Sequence, residues 1–151
     1  MILYHVSTNL KHDGAFAPRI PASAFYGDGE DKTIPRICFS ESIEGCLSSM
    51  PEGGAGLYSY IYKFNNVFKL FILDTEKYQN LEILGPDQIS DKVCDAKLYK
   101  EYWVLNPIKI EDFVFIKIEN FEYDHDSKSI YNLRYEILKD LDPIYKFLLE
   151  M

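Results

Sequence analysis

Tyr4-His5-Val6-Ser7-Thr8 closes the first apolar run of the chain, and Ile37-Cys38-Phe39-Ser40-Glu41-Ser42 closes a second. Each reads as a short β-strand that carries small hydroxyls to its end, and the first also carries an imidazole. Strand ends suit ligand contacts, because the sheet fixes the backbone while the side chain faces a crevice. A histidine and a serine brought together at two such ends suit a sugar hydroxyl or an amide better than a metal ion. The expectation is one sheet holding both strands in an α+β domain.

Composition sets the frame around these strands. A chain of 151 residues is expected to form a single domain over 1–151, and 47% hydrophobic with 15% aromatic residues is ample for its core. No stretch approaches the ~20 apolar residues of a membrane span. Met1-Ile2-Leu3-Tyr4-His5 lacks the basic segment and long apolar stretch of a secretory signal, so a cytoplasmic protein with no membrane partner is expected. Cys38, Cys46 and Cys94 are odd in number and fit no disulfide framework, which predicts buried free thiols. A net charge of −8 argues against direct binding of a nucleic-acid backbone, which needs clustered bases. It leaves room for a local arginine on the phosphates of a small nucleotide.

Between the two strands, Ser7 to Pro35 reads as a loop, long for a compact domain and too rich in proline and glycine for a sustained helix. Within it Pro18-Arg19-Ile20-Pro21 recurs in part as Pro35-Arg36-Ile37. A preceding proline fixes local φ and lowers the entropy lost in placing each guanidinium. Arg19 and Arg36 are therefore phosphate or carboxylate clamps, or surface partners of Asp28, Glu30 and Asp31. After the second strand, Ser40 suits a helix N-cap, one of Ser40 and Ser42 being expected to cap, with Glu41 and Glu44 in the first turn and Ile43, Leu47 and Met50 on one face. Pro51 and Gly53-Gly54 are expected to stop that helix.

Leu57 to Phe64 is β-prone with aromatics on both faces and predicts a strand. Asn65-Asn66 predicts a turn and Val67 to Leu73 a further strand. Asp74 to Ser90 is mixed and loop-like. Lys97 to Trp103 predicts a strand or irregular approach, and Asn106-Pro107 a turn. Ile108 and Ile110 alternate with Lys109 and Glu111 as in a half-exposed strand, and Phe113 to Glu119 predicts a long one. At the C-terminus Ile130, Leu133, Ile137, Leu138 and Leu141 fit one face of a helix starting near Ser129. Asp142-Pro143 then opens a short final helix through Leu149.

His5 is the sharpest chemical candidate, set against the ordinary role of a satisfied structural histidine. No metal is expected, since His12 and His125 sit in polar loops and no ligand pair has zinc spacing. No Ser-His-acid triad, P-loop or dinucleotide glycine fingerprint is legible. Glu101, in Lys97-Leu98-Tyr99-Lys100-Glu101-Tyr102-Trp103-Val104-Leu105, stands beside the chain's single tryptophan. A carboxylate next to a flat aromatic suits a planar cation and developing positive charge on a sugar carbon. The competing reading is an exposed strand acid with Trp103 in the core.

Tyr-His-x-(Ser/Thr) on the first strand, Phe-Ser-x-Ser before a helix and a late acid-containing strand together resemble the ADP-ribosyltransferase superfamily. The chain is most similar to the small bacterial rifamycin-modifying ADP-ribosyltransferases, with their Tyr-His-Gly-Thr start and Ile-Tyr-Phe-Ser strand. Tyr58-Ser59-Tyr60-Ile61-Tyr62 resembles their next strand, and Tyr102 to Ile110 the one that closes the sheet. The resemblance covers roughly residues 2 to 120. It implies a split, strongly bent antiparallel β-sandwich with peripheral helices and NAD in the cleft between its halves; the C-terminal helix is read from periodicity.

On that resemblance His5 and Glu101 are catalytic, His5 by hydrogen bonding a ribose hydroxyl. Tyr4, Ser7, Arg19, Arg36, Ser40 and Trp103 bind the nucleotide. Ser40 supports the nicotinamide-ribose side, either arginine meets the pyrophosphate, and an aromatic stacks on nicotinamide. Val6 stands where the family often has glycine. Trp103 stands directly before Val-Leu, where many members carry the acid, and Glu101 lies two residues earlier on the same strand face. Asp74, Glu76 and Asp95 stay open as the acid. The resulting expectation is a transferase that uses NAD to modify a small-molecule, protein or nucleic-acid acceptor. Its rivals are a catalytically inactive nucleotide-binding module and an acidic partner-blocking protein of the phage or bacterial defence and counter-defence kind.

Overall fold

The strand that carries His5 lies inside the sheet. In the computed structural model, which describes residues 1–21, 31–90 and 99–138, β1 (Ile2–Ser7) has a neighbour on each side. The other strands are β2 (Ala15–Phe16), β3 (Ile37–Ser40), β4 (Val67–Asp74), β5 (Ile83–Leu84), β6 (Glu101–Val104), β7 (Ile108–Lys109), β8 (Phe113–Tyr123) and β9 (Ile130–Leu138). A 7-stranded sheet has the order β5-β6-β3-β1-β4-β8-β9, and β2 pairs with β7 in a separate 2-stranded ribbon. The registered pairs in both are antiparallel. The α+β expectation holds at that level.

Alternation along the strands feeds two layers. Leu3, Phe39, Phe71 and Leu73 face the ribbon and pack with Phe16, Ile108 and Ile110. Phe68, Leu70, Ile116 and Ile118 face the helices and pack with Leu47 and Leu57. Those two leucines sit on α1 (Ile43–Ser48) and α2 (Gly53–Lys63). A short α3 (Pro86–Ile89) adds Ile89 to a third cluster with Trp103.

Three expectations are corrected. The run from Leu57 to Phe64 is not a strand but most of α2. Leu57, Tyr60 and Ile61 recur at helical spacing against the helix-side core, so packing overrides aromatic β propensity. Tyr58 and Tyr62, four apart, are left exposed. Gly53-Gly54, read as a stop, opens this helix: Gly53 has φ +55, and a Cβ on Gly54 would collide with Tyr123.

The proposed C-terminal helix from Ser129 is likewise not a helix over its described part, because Ile130 to Leu138 form β9. A β-bulge explains the false period. The register shifts between Asn120 and Glu122, and Asn132 takes φ 52. The additional residue separates Ile130 from Leu133 by three positions although both pack on the same core. The final helix expected from Asp142, and Leu141 of the expected helical face, lie outside the described residues.

The third correction concerns the cap of α1. Ser42, not Ser40, caps it, with its Oγ accepting from the Gly45 amide at 2.9 Å. Cys38 and Cys46 are half-buried, while Cys94 lies outside the described residues. Burial pushes the Cys46 thiol up to about 12, and its Sγ donates to the Tyr4 carbonyl. No helix among the described residues is long and apolar enough to cross a membrane.

Candidate functional site

β1 pairs with β4 along its full length, from Ile2↔Asp74 to Ser7↔Lys69, and β3 pairs with β6 from Ile37↔Val104 to Ser40↔Glu101. Between β1 and β3 themselves there is one registered pair, Tyr4↔Ser40. The sheet therefore opens beyond that point. In the opening the His5 imidazole reaches across, its Nδ1 lying 2.9 Å from the Cys38 carbonyl oxygen. A carbonyl only accepts, so Nδ1 carries the proton and the neutral ring keeps Nε2 as an acceptor.

The ring is held by edge-on contacts with Phe16 at 4.9 Å and Phe39 at 5.7 Å between centroids. Burial among these rings is the main reason that His5 titrates below its ordinary 6.5. The Cys38 carbonyl opposes the shift, while His12 and Arg19 add to it. The lowered value gives a pH prediction. Below pH 6.5 the unfolded chain takes up a proton at this position before the folded protein does, so stability falls as pH drops toward the folded value. His5→Gln, which keeps an amide donor but cannot titrate, is expected to flatten that part of the stability–pH curve in urea unfolding. An unchanged slope would assign it elsewhere, His12 being the other histidine shifted downward.

A cleft of about 1090 Å³ occupies the opening, and its walls include His5, Ser7, Arg19, Arg36 and Glu101. It lies just above the roughly 300–1,000 Å³ common for small-molecule sites. The partial repeat around the two prolines becomes an isolated bridge, with Arg19 and Arg36 exchanging backbone hydrogen bonds at 3.0 and 2.9 Å. Their side chains part company. Arg19 is exposed on the cleft wall. Arg36 is 2% exposed, lies 4.1 Å from the centre of the Trp103 ring and donates from Nη1 to the carbonyls of Asp31 and Ile34.

Trp103, Ser40 and Tyr4 do not line this cleft. Trp103 is 0% exposed, so it presents no face to a ligand. It supports the site from behind, carrying Arg36 on its face and donating from Nε1 to Glu101 at 3.1 Å. Ser40 is 3% exposed and donates to the Tyr99 carbonyl at 2.5 Å. That link is packed tightly, since a Cβ on Gly45 would collide with the Ser40 hydroxyl. Tyr4 packs against the helix-side core. All three lie behind the cleft, on β1, β3 and β6.

The structure also brings in residues that sequence reasoning missed: Ser48, Ser49, Glu52, Tyr99, Ser127 and Lys128. Tyr99 donates to the Ser127 carbonyl at 2.8 Å, and Lys128 Nζ lies 2.9 Å from Glu52 Oε2. Glu52 and Lys128 both have left-handed backbones, φ 66 and 63. They belong to the α1–α2 and β8–β9 connections, which no local periodicity could place together. Strained residues gathered at one rim fit a functional edge. Of the other acids, Asp74 and Glu76 do not line the cleft: they close the opposite end of β4, with Asp74 accepting from the Glu76 amide. Asp95 lies outside the described residues.

Comparison with protein-family models, with curated proteins and with solved structures gives no match to this chain.

Proposed function

We propose that this chain is an ADP-ribosyltransferase-type domain that binds NAD in the opening between β1 and β3. The single observation that carries this reading is the parting of these strands after Tyr4↔Ser40, with His5 on one lip and Glu101 beside the other. Of the segments that carry the resemblance, three fall on the neighbouring strands β1, β3 and β6, while Tyr58 to Tyr62, likened to a strand of the family, lies in α2. A neutral His5 offers Nε2 to a ribose hydroxyl, and exposed Arg19 offers a cation to the pyrophosphate. Glu101, half-buried at the start of β6, supplies negative charge where positive charge develops on the ribose carbon. In the reaction the bond from that carbon to nicotinamide breaks, its electron pair leaving with nicotinamide. The acceptor's nucleophile then bonds to the same carbon and gives up its proton to solvent or to the carboxylate.

A second reading, capture without turnover, is favoured by one contact. The Glu101 carboxylate accepts from the Trp103 indole, which draws negative charge away from the cleft. A carboxylate offers about four acceptor positions, so the indole does not exhaust it. Calorimetric titration with NAD tests what both readings share. Loss of the His5 contact by His5→Ala is expected to weaken binding about five- to tenfold. Absence of binding by the unmodified chain, or equal affinity in the variant, rejects the site.

A further inference from the structure

We propose that the outer edge of β9 pairs with the β9 of a second copy of this chain, extending the two sheets into one across a twofold axis. Among the described residues β9 is the last strand of the sheet, and its registered pairing there is with β8 alone. Natural edges are usually blunted by shortness, by proline, by charged side chains, by bulges or by a covering element, and of these β9 has a bulge at one end and two charges of opposite sign. The straight part of β9, Leu133 to Ile137 beyond the bulge, contains no proline. It instead leaves Tyr135 41% and Ile137 52% exposed.

The two faces of this strand are self-complementary. Tyr135 lies opposite Ile118 and Ile137 opposite Ile116, so both stand on the apolar, helix-covered face with Leu133. Arg134 and Glu136 alternate onto the other face. Antiparallel pairing of two copies centred on Tyr135 sets Tyr135 against itself and Leu133 against Ile137. The same register sets Arg134 against Glu136 twice, because an isologous contact repeats each pair. Among the described residues neither Arg134 nor Glu136 closes a salt bridge, although Lys117 is the neighbour of Glu136 across β8. Apolar therefore meets apolar and cation meets anion in one register, with the bulge at Asn132 marking where the pairing ends. A partner of other sequence would have to supply this charge order by chance, whereas the chain supplies it to itself.

The test is sedimentation of the full chain over a concentration series. Dimers are expected, with Arg134→Glu and Glu136→Arg each weakening association about tenfold or more by setting like charges opposite. Both substitutions sit on an exposed face, and circular dichroism verifies that each variant folds. The double variant R134E/E136R is expected to recover dimers, and mixing the two single variants to give heterodimers. A chain that stays monomeric, or single variants that associate as the unmodified chain does, overturns the proposal. Dimers whose strength ignores all four charge arrangements also overturn it, by placing the contact elsewhere.

Discussion

Replacing Trp103 by alanine is expected to cost about 3–5 kcal/mol of unfolding free energy, a large share of the roughly 5–15 kcal/mol that holds most domains together. The indole is fully buried with Ile89, and Ile34, Cys38, Leu84 and Leu105 pack around the pair. Three separate losses follow from the truncation. A cavity opens where the bicyclic ring stood. The Arg36 guanidinium, nearly inaccessible to water, loses the aromatic face beneath it. Glu101 loses the N–H that orients it. Trp103→Phe retains an aromatic face but neither the full volume nor the donor, so a smaller loss of about 1–2 kcal/mol is expected. Urea unfolding followed by circular dichroism measures both, and equal midpoints for the two variants would show that Arg36 and the cavity contribute little.

That a core tryptophan also serves the cleft bears on how far the residues could be read without coordinates. The strands Ile2–Ser7, Ile37–Ser40 and Val67–Asp74 were legible because short apolar runs bounded by polar turns have few other ways to fold. His5 was legible as a cleft residue for the same reason, being fixed by its strand. Leu57 to Lys63 misled because local propensity and tertiary packing point in opposite directions there. Ile130 to Leu138 misled because a single left-handed Asn132 turns a period of two into an apparent helical spacing.

At the site the obstacle was of another kind. Trp103 and Glu101 share a strand face, yet which of them meets the cleft depends on Arg36, which enters from the bridge just before β3 to cover the indole. Ser127 and Lys128 reach the rim only because the β8–β9 turn returns beside the α1–α2 connection, with the Lys128 carbonyl accepting from the Gly54 amide at 2.9 Å. Such meetings join residues far apart in the chain, and no local pattern encodes them.

Glu101→Gln separates transfer from capture. The amide is close to isosteric and its carbonyl oxygen can still accept from the Trp103 indole, so the fold and the strand pairing with Ser40 are expected to survive. What disappears is the negative charge. In a site that stabilises a cationic ribose carbon, removing a preorganised electrostatic partner costs on the order of 10²–10³-fold in rate. Affinity for NAD should change little, since ground-state NAD carries much less positive charge on that carbon than the transition state does. Nicotinamide release by the unmodified chain is thus expected to fall by that factor in the variant, with NAD titration curves nearly superimposed. Release that persists undiminished in Glu101→Gln would remove this carboxylate from the chemistry. NAD binding without release by either protein would favour capture, and would give the Glu101–Trp103 contact the meaning of a carboxylate turned away from catalysis.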